Sequence, residues 1–121
     1  VGANATYKIQ KGITKPLYGG AISASVTLTN ATEIDMQGFT TGSLEVIENS
    51  GDGTWVFALY ECSSTGGTYT PGLIAAGTAR TFSVPDGGGT IDIDGLRANY
   101  IKLVPTLTGT SNITVKFTPN P

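Results

Sequence analysis

The chain contains no histidine. That absence removes the usual near-neutral proton shuttle, the commonest metal ligand and every Ser-His or Cys-His nucleophile. Cys62 is the single cysteine in 121 residues. Neither an intrachain disulfide nor a cysteine metal cluster is open to it, and it is expected as a small buried strand residue. A small domain without disulfides fits intracellular synthesis. Charge is scarce as well: seven Lys and Arg face nine Asp and Glu, 13% of the chain, for a formal net charge of -2. The bases form no stripe, so the phosphate-neutralising term of nucleic-acid binding is missing and no nucleic-acid partner is expected. No apolar run reaches the roughly 20 residues that cross a bilayer, and no charged n-region leads into an apolar h-region, so a soluble chain without a membrane partner is expected. No segment keeps a helical period over three turns.

What is present is Gly, Thr and Ser in quantity, together with a period of two. This composition belongs to turn-rich β proteins, and the length fits one domain. "AISASVTLT", 21–29, puts Ile22, Ala24, Val26 and Leu28 on one face. "GSLEVIENS" turns Leu44 and Val46 inward; "GDGT", 51–54, then reads as a tight hairpin turn into "WVFALYEC", a central strand apolar on both faces. "STGGTYTPG", 64–72, is a loop, and "RTFSVPD" carries Phe82 and Val84 on one face before Pro85. "YIKLVPTL" and "NITVKFTP" are two more alternating runs, joined by "TGTSN" as a second hairpin. About seven or eight strands at this spacing predict an all-β, antiparallel β-sandwich, jelly-roll-like, over residues 21–121.

Residues 1–20 differ. They hold Lys8, Lys11 and Lys15 and no acid, with Gly and Pro but no sustained period. This is an N-terminal arm or an edge segment, and an arm of this kind gains order on another chain.

The stretch "IDIDGLRANYIKLV", 91–104, raises the one question of chemistry. Asp92 and Asp94 flank Ile93 below three glycines. A second copy, "IDMQGFTTGSLEVI", 34–47, aligns to it without a gap: Ile34 with Ile91, Asp35 with Asp92, Gly38 with Gly95, Gly42 with Asn99, and Leu44-Glu45-Val46 with Ile101-Lys102-Leu103. Gly42 and Asn99 are residue types suited to a left-handed backbone, and side-by-side strands would set Glu45 against Lys102. Asp94 corresponds to Gln37, so only one acid recurs, whereas calcium takes 6 to 8 oxygens from converging ligands. Acids at i and i+2 also lack the cleft geometry of a glycosidase. No metal, cofactor or catalytic residue is expected; each Asp points outward or caps a turn. Asn4, Asn30 and Asn112 open glycosylation-type triplets, discounted in a Thr-rich chain. Trp55, Tyr60, Tyr69 and Tyr100 are the candidates for a sugar-stacking platform, with core packing as the plainer role.

Residues 31–62, "ATEIDMQGFTTGSLEVIENSGDGTWVFALYEC", and 91–117, "IDIDGLRANYIKLVPTLTGTSNITVKF", resemble small virion proteins of tailed bacteriophages. The matching positions are Asp35 to Phe39, Phe57 to Glu61 and Tyr100 to Leu103. Where that group often has Glu-Ser-Asp-Asp, this chain has Glu61-Cys62-Ser63-Ser64, which leaves an acid-based role of that loop without support. The resemblance implies a non-enzymatic capsid decoration or cement protein, made in the host cytoplasm and carried on the virion. Its partners would be the major capsid protein and its own copies, as a trimer or dimer. A tail or neck protein and a carbohydrate-binding module are the alternatives. Contact candidates on this reading are Tyr7, Lys8, Lys11, Lys15 and Tyr18, with Pro119 in a tail that Pro119 and Pro121 hold off the ladder.

Overall fold

The computed structural model describes residues 12–75 and 77–120, the side chain of Ala75 excepted. Every regular element among them is a strand: β1 (Lys15–Pro16), β2 (Ile34–Asp35), β3 (Thr41–Gly51), β4 (Thr54–Cys62), β5 (Thr70–Pro71), β6 (Leu73–Ala75), β7 (Thr78–Ala79), β8 (Thr81–Ser83), β9 (Gly88–Ile93), β10 (Tyr100–Thr108) and β11 (Ser111–Asn120). The first sheet runs β1-β11-β3-β9. The second runs β2-β10-β4, with β8 and β5 sharing the far edge of β4, and β6 pairs with β7 as a small hairpin. All pairings are antiparallel. The all-β expectation holds; the strand count of seven or eight does not, because short pairings of two or three residues guard the sheet edges.

The period of two explains the core. Leu44 and Val46 of β3, Ile93 of β9, and Ile113, Val115 and Phe117 of β11 face Ile34, Trp55, Phe57, Leu59, Ile101 and Leu103 of the second sheet in one buried cluster. Each buried side chain of this size contributes roughly 1.5–3 kcal/mol. Trp55 is 1% exposed, and its indole N–H has no partner among the described residues. On the other face of β4, Val56, Ala58 and Tyr60 are half-buried, so the strand is central in its sheet yet not fully covered on its outer side.

Both predicted hairpins are instead links between sheets. β3 pairs with β11 and β9, β4 with β10, β5 and β8, so "GDGT" carries the chain across the sandwich, and "TGTSN" does the same from β10 to β11. Asp-Gly and Thr-Gly chemistry permits a tight reversal but does not decide whether the flanking strands pair or splay. That choice lies with the inward residues, which bury more surface facing each other across the core than side by side. The two links lie against one another: the Asp52 and Gly53 amides donate to the Thr110 carbonyl at 3.1 and 2.8 Å.

The echo in the sequence is a symmetry in the fold. A shift of 57 residues relates the aligned copies, and the same shift exchanges their pairings. Tyr100 opposite Asp35 becomes Ser43 opposite Asp92, and Ile101 opposite Ile34 becomes Leu44 opposite Ile91. The relation continues past the alignment: Thr108 opposite Thr54 and Leu107 opposite Trp55 answer Gly51 opposite Ser111 and Ser50 opposite Asn112. It slips by one residue at the bulge between Asn112 and Ile113. Each copy crosses from one sheet to the other, in opposite senses, so Glu45 and Lys102 lie in different sheets; the cross-strand neighbours of Glu45 are Lys116 and Thr90.

Two further expectations are corrected. Residues 21–29 keep Ile22, Val26 and Leu28 of the predicted face half-buried, but Ala24 is exposed and the run forms only an isolated bridge from Ile22 to Ile113. The Val26 amide then donates to the Pro105 carbonyl at 3.0 Å, so the segment passes from β11 to β10 and closes that side of the sandwich. Gly42 and Asn99 do not have positive φ; Gly38 (79°) and Gly95 (62°) do. Gly42 is there for space, since a Cβ on it would lie 2.3 Å from the Phe117 ring.

Candidate functional site

The capsid-contact candidates do not converge. Tyr7, Lys8 and Lys11 lie outside the described residues. Lys15 is exposed on β1, opposite Phe117. Its neighbour Leu17 is buried in the core, its amide donating to the Val115 carbonyl at 2.9 Å. Residues 15–17 are thus built into the sandwich. Tyr18 turns inward: its hydroxyl donates to the Leu103 carbonyl at 3.0 Å, and burial pushes its pKa up to about 12. The backbone pays for this with φ at 67°, a conformation costing roughly 1–2 kcal/mol for a side-chain-bearing residue. Tyr18→Phe should lower stability by about 1 kcal/mol, read as a shifted urea midpoint with unchanged slope. Pro119 is buried within β11 opposite Gly42, and the ladder continues to Asn120. Pro119 therefore does not end the ladder, and Gly12 packs directly against it.

The sugar-stacking set is divided. Trp55 faces the core, while Tyr60 and Tyr100 are half-buried on the outer face of the second sheet, so the four rings form no shared platform. Tyr69 joins the latter face from the loop after β4. Its hydroxyl donates to Glu33 at 2.5 Å, and the Lys102 ammonium stands 4.9 Å from its ring centre. Glu33 also accepts from the Thr65 hydroxyl at 2.6 Å and the Gly66 amide at 3.1 Å. The Lys102 ammonium donates to the Leu28 carbonyl at 3.0 Å. Glu33 is the residue that sequence reasoning missed. It sits between two runs, and nothing local shows that a loop 30 residues later folds onto it.

These bonds set the electrostatics. The Thr65 and Tyr69 hydroxyls hold the Glu33 carboxyl below its ordinary value of 4.5, with smaller help from the Gly66 amide and Lys102, against some desolvation. Burial, then the bond to Glu33, raises the Tyr69 phenol. A carboxyl with a depressed folded pKa contributes stability that is complete above its unfolded pKa and lost as pH falls through the folded value. Amides near Gly66 should therefore exchange slowly at neutral pH and faster once pH drops below 4.5 and through that lower value. Glu33→Gln should remove this acid step, as hydrogen exchange against pH will show.

The acids of the "IDIDG" run do not form a ligand set. Asp92 accepts from the Ser43 hydroxyl at 3.4 Å, and the Asp94 side chain is 91% exposed, 3.8 Å from Arg80. Among the described residues no group of three or more carboxylate, thiol or imidazole side chains converges as a metal site. Asp35 caps its turn, accepting from the Gln37 amide at 2.8 Å. A groove of about 560 Å³ lies between the β6–β7 hairpin and the Asp94–Arg97 turn and is lined by Leu73, Ile74, Phe82, Arg80 and Arg97. Its two guanidinium groups already serve the fold. Arg80 donates to the Asp94 carbonyl at 2.8 Å and lies over Phe82; Arg97 donates to the Leu73 carbonyl at 2.6 Å.

In comparisons with protein families, characterised proteins and solved structures, the chain matches none. The functional reading therefore rests on the geometry: pinned loops, a β9 edge that has no strand partner on its outer side among the described residues, and outer faces dressed in hydroxyl and amide groups. On the outer face of the first sheet, Asn49 donates to Asn112 at 2.9 Å and to Thr114 at 3.0 Å, and Asn120 donates to Ser43 at 3.2 Å.

Proposed function

We propose that the protein is a non-enzymatic structural component of a bacteriophage virion, a decoration or cement protein that binds the outer surface of the major capsid protein and stabilises the head. The observation that carries this reading is how the polar side chains are used. Glu33, Glu61, Arg80, Arg97 and Lys102 are each bonded to loop or backbone groups. They tie the loops down, and the acid and base groups that line the grooves meet as ion pairs, Arg80 with Asp94 and Arg97 with Glu61, in which Arg80, Arg97 and Glu61 also hold backbone groups. A rigid body of this kind, binding through flat faces and edges, suits a protein that gains its effect by occupying many identical sites and stabilising the bound form by mass action. A tail or neck position would use the same surfaces. The carbohydrate-binding alternative loses Trp55 to the core and keeps only half-buried tyrosines.

The test is to assemble heads from the major capsid protein of the same genome without this chain and then add it. Binding at a fixed number of copies per head and a raised disassembly temperature are the expected results. The absence of both binding and a thermal shift would overturn the proposal.

A further inference from the structure

We infer that the outer edge of β9 is an acceptor for the N-terminal segment, residues 1–11, of a second copy of this chain, which adds to the first sheet as a further antiparallel strand. This inference does not depend on the capsid reading.

Among the described residues β9 pairs only with β3; the Gly88 amide donates to the Pro85 carbonyl at 2.9 Å, and the edge beyond it, over Gly89–Ile93, has no strand on its other side. An edge of this length is a template for a strand unless it is covered. The opposite edge of the sheet is handled differently: β1 and the segment through Ile22 lie on β11. Side chains at the β9 edge match one partner. Its inward Ile91 is only half-buried, as are Phe82 of β8 and Val84 just after it, and all three pack against the core. Outward, Thr90 and Asp92 are exposed, Glu45 stands beside Thr90 on β3, and the exposed Asp86 and Asp94 flank the strand. The edge is therefore apolar within and acidic without.

Residues 1–11 have the complementary pattern. Ala5, Tyr7 and Ile9 alternate with Thr6, Lys8 and Gln10, and the segment holds Lys8 and Lys11 with no acid, whereas all nine acids lie at Glu33 or beyond. A strand in that pattern covers Ile91 with Tyr7 and Ile9 and sets Lys8 beside Asp92.

Reach decides that the donor is another copy. Gly12 lies against Pro119, which pairs with Gly42, which pairs with Ile93, so the segment enters at the end of the sheet where β9 finishes. β1 lies three strand spacings from β9, about 14 Å. To pair antiparallel with its own β9, the segment would have to leave β9 at the far end, return about 20 Å along the six residues of Gly88–Ile93 and cross four strand spacings, about 19 Å, from the outer side of β9 to β1. After six residues are spent on pairing, the remaining five span at most about 17 Å. Antiparallel addition along the whole of β9 is therefore beyond the reach of one chain, a limit that a second chain does not have.

The test uses the whole chain and light scattering after size-exclusion chromatography. The full chain is expected as a multimer, and removal of residues 1–11 should leave a folded monomer with an unchanged thermal midpoint of the sandwich. Asp92→Lys should weaken association about five- to tenfold at low salt and less at high salt. Lys8→Glu in the same chain should restore it. Hydrogen exchange should show β9 amides protected in the full chain and unprotected after the deletion. A monomeric full chain at all concentrations overturns the inference, as does a multimer that survives the deletion. Protected β9 amides in a monomer would overturn it too, by placing the strand in its own chain.

Discussion

Gly42→Val should lower stability by about 3 kcal/mol or more and leave much of the protein unfolded at 37 °C. A Cβ at position 42 would lie 2.3 Å from Cζ and 2.8 Å from Cε2 of Phe117, and 3.0 Å from the Thr118 carbonyl oxygen. Phe117 is fully buried and has no second rotamer to retreat to without displacing its neighbours in the core. The contrast is Gly38→Asn. Gly38 has φ at 79° with nothing within 4 Å of an added Cβ, so Asn, which tolerates this conformation, should cost less than about 1 kcal/mol. Urea midpoints of the two variants will separate the two uses of glycine. Phe117→Leu in the Gly42→Val background should recover part of the loss, since residues sharing one space are not additive. If Gly42→Val were as mild as Gly38→Asn, the close packing of β3 on β11 would be wrong.

That pair of glycines also marks what could be read from the sequence. The repeat alignment locates both, but it places the left-handed backbone at Gly42 and Asn99, whereas Gly38 and Gly95 adopt it and the role of Gly42 depends on a ring 75 residues away. Alternation is a local property, so the inward sets of β3, β10 and β11 are legible, whereas β4, apolar on both faces, does not show which face meets the core. Partnership is not local. "GDGT" and "TGTSN" carry the same residues whether the flanking strands pair or face each other, and only the packed core distinguishes these outcomes. The same limit applies to the site residues. Asp35 as a turn cap could be read from Asp-Met-Gln-Gly, since its partner is two residues on. Glu33 and Glu61 could not, because their partners lie 32 to 37 residues later. Residue type alone leaves Trp55 open between a sugar platform and core packing, and burial decides for the core; Pro119, expected to end the ladder, is buried within it.

Glu61→Ala should be the most damaging change among the polar residues, at about 2–3 kcal/mol, or roughly 10 °C in the thermal midpoint for a domain of this size. One Glu61 oxygen accepts from the Arg97 amide at 2.8 Å and the Ala98 amide at 3.2 Å, and its side chain is only 11% exposed. Truncation leaves these two amides without their acceptor. It also frees the turn that sets Leu96, 1% exposed, into the core and starts β10 at Tyr100. Glu61→Gln keeps an oxygen in place and should cost about 1 kcal/mol. The Arg97 guanidinium lies 3.9 Å from Glu61 and is itself 64% exposed, so the ion pair adds little. Arg97→Ala, losing that pair and the bond to the Leu73 carbonyl, should therefore cost less than Glu61→Ala. Hydrogen exchange at Arg97 and Ala98 should accelerate in Glu61→Ala far more than in Glu61→Gln. Equal losses in Arg97→Ala and Glu61→Ala would mean that the charge pair, and not the capture of two backbone amides, holds the turn.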